Sequence, residues 1–197
     1  MTLQHPNTLM PIFLKLEGRR ILVVGGGAIG LEKIGALLRN DPNARIHVVA
    51  PEIREEIREL AATRTITLEQ QAYNRSHIEQ ADLVFAATSL REVNEQVAKD
   101  AREVKVLINV ADTPDLCDFY MSSIVLKGDL KIAISTNGKS PTVAKRLREY
   151  FEKWIPDEIN EVMQNLHVLR EKLRGDFSHK VKTLNEATKV FEEEENA

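Results

Sequence analysis

Aliphatic residues run unbroken from Ile21 to Val24 and stop at Gly25-Gly26-Gly27-Ala28-Ile29-Gly30, after which apolar positions recur on one face only, at Ile29, Ile34, Leu37 and Leu38, with the stem of Lys33 among them. A continuous apolar run marks a strand buried on both faces, and the wider spacing marks an amphipathic helix. Arg45-Ile46-His47-Val48-Val49-Ala50 is a second β-branched run and ends at Pro51, which completes a βαβ unit. Ile53 to Ala62 has helical spacing, Thr65 to Glu69 alternates as a strand, and Asp82-Leu83-Val84-Phe85-Ala86-Ala87-Thr88 is a further buried strand. Val93, Val97 and Ala101 share one helix face ahead of a last apolar strand, Val106-Leu107-Ile108-Asn109-Val110. Strands and helices that alternate in this way predict an α/β fold, a Rossmann-type doubly wound parallel sheet with its ligand at the carboxyl ends of the strands. Gly25 to Gly30, Thr88 and Asp112 all fall at those ends.

The pattern then changes. Ser122-Ser123-Ile124-Val125 and Leu130-Lys131-Ile132-Ala133-Ile134-Ser135, joined by Lys127-Gly128-Asp129, predict a β-hairpin. Its apolar residues Ile124, Val125, Leu130, Ile132 and Ile134 are too many for a free two-stranded ribbon and call for a partner surface. Ser140 and Pro141 have the N-cap and N1 character of a helix start, with Val143, Ala144, Leu147 and Phe151 following at helical spacing. Pro156 is expected to open another helix with Ile159, Val162, Met163, Leu166 and Leu169 as its stripe, and Trp154 to lie in the core between the C-terminal helices. Gly175 interrupts, Phe177 to Phe191 suits a last helix, and Glu192-Glu193-Glu194-Glu195 reads as a solvated tail. The expected organisation is a Rossmann domain over 1–113, a hairpin region over 114–150 and a helical domain over 151–197.

A G-x-G-x-x-G turn between strand and helix is a dinucleotide fingerprint. Gly25 permits the tight turn, Gly27 lets the backbone approach a pyrophosphate, Gly30 lets the helix pack on the sheet, and the amides of Ala28 and Ile29 open the helix toward phosphate. Ala50, Pro51 and Thr88, at the ends of neighbouring strands, complete the expected cofactor set. The position about twenty residues on, where an acid commonly bonds the ribose, is Ala50, with Glu52 and Arg54 beyond it, so the residues alone leave NAD and NADP both open.

Asp112 follows a buried strand where the nicotinamide is expected, and its carboxylate suits a proton acceptor; capping the turn before Pro114 would equally explain an aspartate there. Lys139, Lys145, Arg146 and Arg148 cluster beside the helix start at Ser140, a setting that favours an anion but is also an ordinary basic solvent face. The histidines 5, 47, 77, 167 and 179 are scattered without an i,i+4 pair, so no fixed metal site is expected. Tyr73 and Tyr120 read as packing residues. The single Cys117 excludes an internal disulfide and reads as a small half-buried residue. A net charge of −3 gives no case for nucleic acid, and no apolar run approaches the roughly 18 residues of a membrane span. Met1 to Pro6 lacks the charged and apolar regions of a secretory signal, which suggests a cytoplasmic protein.

Five segments occur together in order: Pro11-Ile12-Phe13-Leu14-Lys15-Leu16, Val23-Val24-Gly25-Gly26-Gly27, Ala86-Ala87-Thr88, Asn109-Val110-Ala111-Asp112-Thr113-Pro114, and Ala133-Ile134-Ser135-Thr136-Asn137-Gly138-Lys139-Ser140-Pro141 running into Ala144-Lys145-Arg146-Leu147. In these the chain resembles the precorrin-2 dehydrogenase family, which includes the N-terminal half of bacterial siroheme synthase, over residues 8 to 165. The resemblance implies NAD-dependent oxidation of precorrin-2 to sirohydrochlorin and, in many members, insertion of Fe²⁺ at the same site, the iron being held mainly by the macrocycle nitrogens. It implies that Asp112 is the general base with a part in metal insertion, that the hairpin region forms a homodimer, and that NAD is the cofactor. Asn137, Gly138, Lys139, Ser140 and Arg146 become the expected contacts to a substrate rich in carboxylates. Thr136 stands where some relatives carry serine, so a regulatory role for that hydroxyl does not carry over directly. Two other readings keep the same fold: an enzyme that only dehydrogenates, and a non-catalytic NAD-sensing module, which would not need the segment from Ser135 to Pro141.

Overall fold

In the computed structural model, which describes residues 7–172, 181–183 and 185–186, the first apolar run becomes β1 (Arg20–Gly26), the central strand of a five-stranded sheet. The others are β2 (Arg45–Ile53), β3 (Ile66–Glu69), β4 (Leu83–Ala86) and β5 (Leu107–Val110), all parallel and ordered β3-β2-β1-β4-β5. Parallel neighbours need crossovers, supplied by α1 (Ala28–Asn40), α2 (Glu55–Thr63) and α3 (Arg91–Val104). Successive side chains of each strand enter opposite faces. Ile21, Val23, Ile46, Val48 and Phe85 pack with Ile34 and Leu37 of α1 and Ile57 of α2. Leu22, Val24, Val84 and Ile108 pack with Val97, Ala98 and Ala101 of α3. Both faces of β1 are therefore covered, which is why its sequence is apolar without alternation. The order reverses between β1 and β4, and the crevice at that switch point is where such sheets bind ligands.

Pro51 does not end the second strand, and Ile53 belongs to β2 rather than to the following helix. Pairing of β2 with β3 stops at Val49, and the register with β1 shifts between Val24 and Gly26. The missing N–H of Pro51 therefore falls at an irregularity where no ladder bond is lost.

After β5 the chain makes a 3₁₀ turn, Pro114–Leu116. The following residues stay bound to the sheet: Ile108 N–H donates to the Asp118 carboxylate (3.0 Å), Asp118 N–H to the Ile108 carbonyl (2.8 Å), and Asn109 Nδ2 to the Phe119 carbonyl (2.9 Å). Phe119 also meets Phe85 edge to face at 5.5 Å. These contacts carry the first compact unit through Met121, rather than ending it at residue 113.

The second unit begins at Ser122. β6 (Ser123–Lys127) and β7 (Leu130–Ile134) form an antiparallel hairpin, with Gly128 at φ 57° in its turn. α4 (Pro141–Trp154) packs on the hairpin and buries Ala144. α5 (Ile159–Lys172) is tied back by a Lys127–Asp157 ion pair and by Asp129 N–H donating to Asn160 Oδ1 at 2.9 Å. Trp154 is 58% exposed, not core: with Val143, Leu147 and Tyr150 it forms an apolar stripe on α4 that its own unit leaves uncovered. Gly175, most of the span from Phe177 to Phe191, the acidic end, His5 and His179 lie outside the described residues.

Candidate functional site: a dinucleotide turn and an exposed carboxylate

β1 passes into α1 through the glycine turn. Gly25 has φ 126°, and a Cβ there would strike the Ala87 carbonyl and crowd the Thr88 nitrogen, so the strand end can lie against β4 only with glycine. A Cβ at Gly30 would strike the Gly25 carbonyl, which sets α1 directly on the end of its strand. At Gly27 a Cβ meets no atom within 4 Å. Gly27 is also the N-cap of α1, with no side-chain cap and no acidic residue in the first turn. The amides of Ala28 and Ile29 thus open the helix without a side-chain acceptor, at its positive end and beneath open space. These residues fit the pyrophosphate of a dinucleotide.

Ala50 is buried within β2, just past its pairing with β3, with Pro51 and Glu52 exposed after it. Arg54 N–H donates to the Gly26 carbonyl at 3.0 Å, which brings the second crossover to the edge of the turn. The Arg54 guanidinium is engaged by Glu56 through Nη2 at 2.5 Å and Nε at 3.2 Å, and this hydrogen bonding holds the Glu56 carboxyl below its usual range. This bidentate pair leaves the Arg54 guanidinium already engaged beside the glycine turn. Glu52 has no ion-pair partner within 4.0 Å among the described residues.

On the other side of β1, Thr88 is fixed by a residue the sequence reasoning missed. Asn94 is buried in α3; its Oδ1 accepts from Thr88 N–H (3.2 Å) and Oγ1–H (2.8 Å), and its Nδ2 donates to the Thr88 carbonyl (3.1 Å). A signal was present: Asn94, Val97, Ala98 and Ala101 follow i, i+3, i+4, i+7, so a polar side chain stands on the buried face of the helix.

Asp112 lies just past β5 at φ 54°, with its side chain exposed. The 3₁₀ turn after it is entered from Thr113, and no side chain caps that turn. The carboxylate of Asp112 accepts no hydrogen bond from the described residues. Cys117 fastens the same loop, its thiol donating to the Val110 carbonyl at 3.1 Å while its sulfur accepts from Val110 N–H at 3.2 Å. Burial pushes that thiol's pKa up.

Within the second unit, the segment from Ser135 to Ser140 is a tight loop with Asn137 at φ 54° and Gly138 at φ 73°. Thr136 Oγ1 donates to the Ser140 carbonyl (3.0 Å) and accepts from Ser140 N–H (3.2 Å), so its hydroxyl is occupied by the loop itself. Ser140 is the N-cap of α4, its Oγ accepting from Val143 N–H at 3.2 Å. The basic cluster divides. Lys145 faces Glu149 at 3.9 Å and Arg148 bonds Glu152 at 2.6 Å, whereas Lys139 and Arg146 are exposed and have no acidic partner within 4.0 Å among the described residues. The turn from Gly25 to Gly30, Ala50, Pro51, Thr88 and Asp112 thus belong to the first unit, and Asn137 to Ser140 and Arg146 to the second. Among the described residues no group of three His, Cys, Asp or Glu side chains could hold a metal ion.

The sheet order and the open glycine turn define a dinucleotide-binding α/β protein. Residues 12–123 match the family described as NAD(P)-binding, and the chain belongs to it. Residues 127–153 match the family described as sirohaem biosynthesis protein central. Siroheme synthase from Nitrosomonas europaea is 39% identical over 171 residues, covering 86% of this chain and 36% of that protein. The enzyme of the same name from Psychrobacter arcticus is 36% identical over 182 residues, with 92% and 32% covered. The chain spans about a third of the length of these curated relatives. Among solved structures, the precorrin-2 dehydrogenase SirC superposes with a TM-score of 0.72 at 28% identity, over 91% of this chain and 89% of that one.

Proposed function

We propose that this chain oxidises precorrin-2 to sirohydrochlorin with NAD as the oxidant. The observation that carries the reading is one chain holding both an open pyrophosphate cradle and, at the end of β5 in the same sheet, an exposed carboxylate with no internal hydrogen bond. The similarity to SirC over nearly the whole of both chains supplies the substrate class.

Bound NAD would supply a hydride acceptor. Gly27, Ala28 and Ile29 hold its pyrophosphate through backbone amides, and the Thr88 loop, fixed by Asn94, forms the wall of the crevice beyond β4. Glu52 suits a ribose hydroxyl, and Glu56 neutralises the arginine that would otherwise favour a 2′-phosphate, so NAD is preferred over NADP. Loss of hydride from the macrocycle must be matched by loss of a proton. Asp112, exposed and with no hydrogen bond from the described residues, takes that proton. In the second unit, Lys139, Arg146 and the amide-rich loop from Asn137 to Ser140 are the groups suited to a substrate's carboxylates. Insertion of Fe²⁺ releases two pyrrole protons, and the same carboxylate serves them, which extends the reading to iron as a second substrate.

The working unit in this reading is a homodimer. Val143, Leu147, Tyr150 and Trp154 on α4, with Leu126 on the hairpin, are between 40 and 60% exposed, an apolar surface that a second copy of the chain would cover. We take the cytoplasm as its compartment because NAD is a cytoplasmic solute. The test is to mix the purified chain with precorrin-2, adding NAD and Fe²⁺ in separate steps and following the absorption spectrum. NAD-dependent conversion to the sirohydrochlorin spectrum is expected. A nucleotide-sensing module would bind NAD and leave the spectrum of precorrin-2 unchanged.

A further inference from the structure

The two faces of the parallel sheet are covered unequally. α1 and α2 lie over one face, while on the other α3 packs over β1, β4 and β5. The link from β3 to β4 would normally bring a helix over β2 and β3 on that second face, but Gln70 to Asp82 contains only the 3₁₀ turn Arg75–His77. The strand residues match the gap. Toward the face of α1 and α2, β2 and β3 present Ile46, Val48 and Ile66; toward the other they present Arg45, His47 and Thr67, with Thr65 just before β3, and then Val49, which is buried with Ile78 of the link, so only the amino halves of these strands are left open on that face.

Register sets these groups side by side. Arg20 pairs with Arg45, and Leu22, His47 and Thr67 form the next row on the same face. Adjacent strands are about 4.8 Å apart, so the two guanidiniums rise together from the amino ends of β1 and β2. They border a groove of 310 Å³ that Thr65, Thr67, His47 and Gln80 also line, and none of its lining residues is acidic. Arg20 shares Asp82 with Arg19, at 3.7 and 4.0 Å. Arg45 has no acidic partner within 4.0 Å among the described residues, and the hydroxyls of Thr65 and Thr67 have no hydrogen-bond partner there. His47 is held in place by Glu69, its Nε2 at 2.9 Å from the carboxylate, so Glu69 is already committed.

We infer that this groove binds the phosphate group of a small phosphate ester. Two arginine forks on neighbouring strands and two threonine hydroxyls offer donors from several directions. A tetrahedral phosphate has enough oxygens to meet them together, whereas a planar carboxylate is filled by one arginine fork. The ester body lies along the groove over Thr67 and His47. The site is at the amino ends of the strands and the dinucleotide turn at their carboxyl ends, so both can be occupied at once. Nothing in it depends on the proposed oxidation.

The test is a titration of the full chain, first saturated with NAD, with phenyl phosphate, followed by amide NMR shifts. Benzoate serves as the planar counterpart and Arg45→Gln as the variant; Arg45 is exposed and unpaired, so the variant keeps its fold, checked by an unchanged NAD response at the glycine turn. Saturable shifts at His47, Thr65 and Thr67 are expected, weakened about tenfold or more in Arg45→Gln and similarly weak with benzoate. Absence of saturation, shifts confined to Gly25 to Gly30, equal affinity for benzoate, or an unchanged affinity in Arg45→Gln would each overturn the assignment. Failure of NAD itself to shift the glycine turn would count against the proposed cofactor and leave the groove result standing.

Discussion

In the parallel-sheet unit Ile21, Val23, Ile34, Val48 and Ile108 are at most 1% exposed, whereas among the described residues of the hairpin unit only Val125, Ala144 and Ile155 stand among the buried hydrophobic residues. The first unit fills a core on each face of its sheet, and each fully buried aliphatic side chain contributes about 1.5–3 kcal/mol. The second covers one face of a short ribbon and leaves the stripe from Val143 to Trp154 to solvent. In the proposed reading one unit holds a ligand on its own framework, and the other is completed by a second copy of the chain. The exception on the first side is the extended segment before β1, where Met10, Ile12 and Phe13 are all more than 60% exposed. That segment has the character of the second unit.

The contrast breaks most sharply at Asp112. Asp112→Asn keeps the shape of the loop but removes the proton acceptor, and the rate of precorrin-2 oxidation is expected to fall by about 10²–10⁴ with NAD affinity unchanged. Single-turnover absorbance and a parallel NAD titration measure both, and a wild-type rate would return Asp112 to a purely structural role. The glycine turn separates binding from stability. Gly27→Val projects into open space, so it should abolish most NAD affinity with little change in melting temperature, whereas Gly25→Val collides with the β4 end and should destabilise the unit by about 3 kcal/mol or more. Equal melting temperatures for the two variants would contradict the packing described at Gly25.

Two changes sharpen the division between the units. Asn94→Ala leaves Thr88 without its clamp and should cost about 2 kcal/mol and loosen NAD binding, read by chemical denaturation and by hydrogen exchange at the Thr88 amide. Leu147→Glu places a charge in the exposed α4 stripe: light scattering should show a monomer whose NAD affinity is that of the wild type. A dimer that persists in Leu147→Glu would put the interface elsewhere. The smallest effect expected is with pH. Burial, then the hydrogen bond to Asp100, raises the pKa of the Tyr73 hydroxyl, and burial raises that of Cys117. Both groups are held neutral in the folded state, so their contribution is fully present below their unfolded pKa values and is lost as pH rises beyond them. Stability should decline from about pH 9, first through Cys117 and above about pH 10 through Tyr73. Tyr73→Phe should flatten the upper part of that decline.

The pattern of apolar residues was enough to read the alternation of strands and helices, the parallel sheet and the position of the turn, because strands buried on both faces and an amphipathic helix have distinct periods. It failed where a residue's burial depends on something other than its own element. Pro51 reads as a strand end, yet β2 continues because the register shift there leaves no bond for its nitrogen to make. Trp154 has the spacing of a core residue, and spacing cannot tell a face that meets its own chain from one that does not. Asn94 stands on the apolar face of α3 and its partner Thr88 is only six residues earlier, yet the apolar pattern gives no reason for a polar side chain there until the N–H, carbonyl and hydroxyl of Thr88 are seen turned toward it. The segment after Asp112 reads as the start of the hairpin region, and its attachment to β5 rests on bonds between residues about ten positions apart.

Cys117 gives that attachment a clock. It is the chain's single cysteine, it is half-buried, and its sulfur both donates to and accepts from the backbone of Val110. Alkylation needs a free thiolate, which burial makes scarce, so labelling is expected to be slow while Val110 holds the sulfur and to quicken when the end of β5 comes undone. The rate of iodoacetamide labelling therefore reports on the loop that carries Asp112, without any engineered probe.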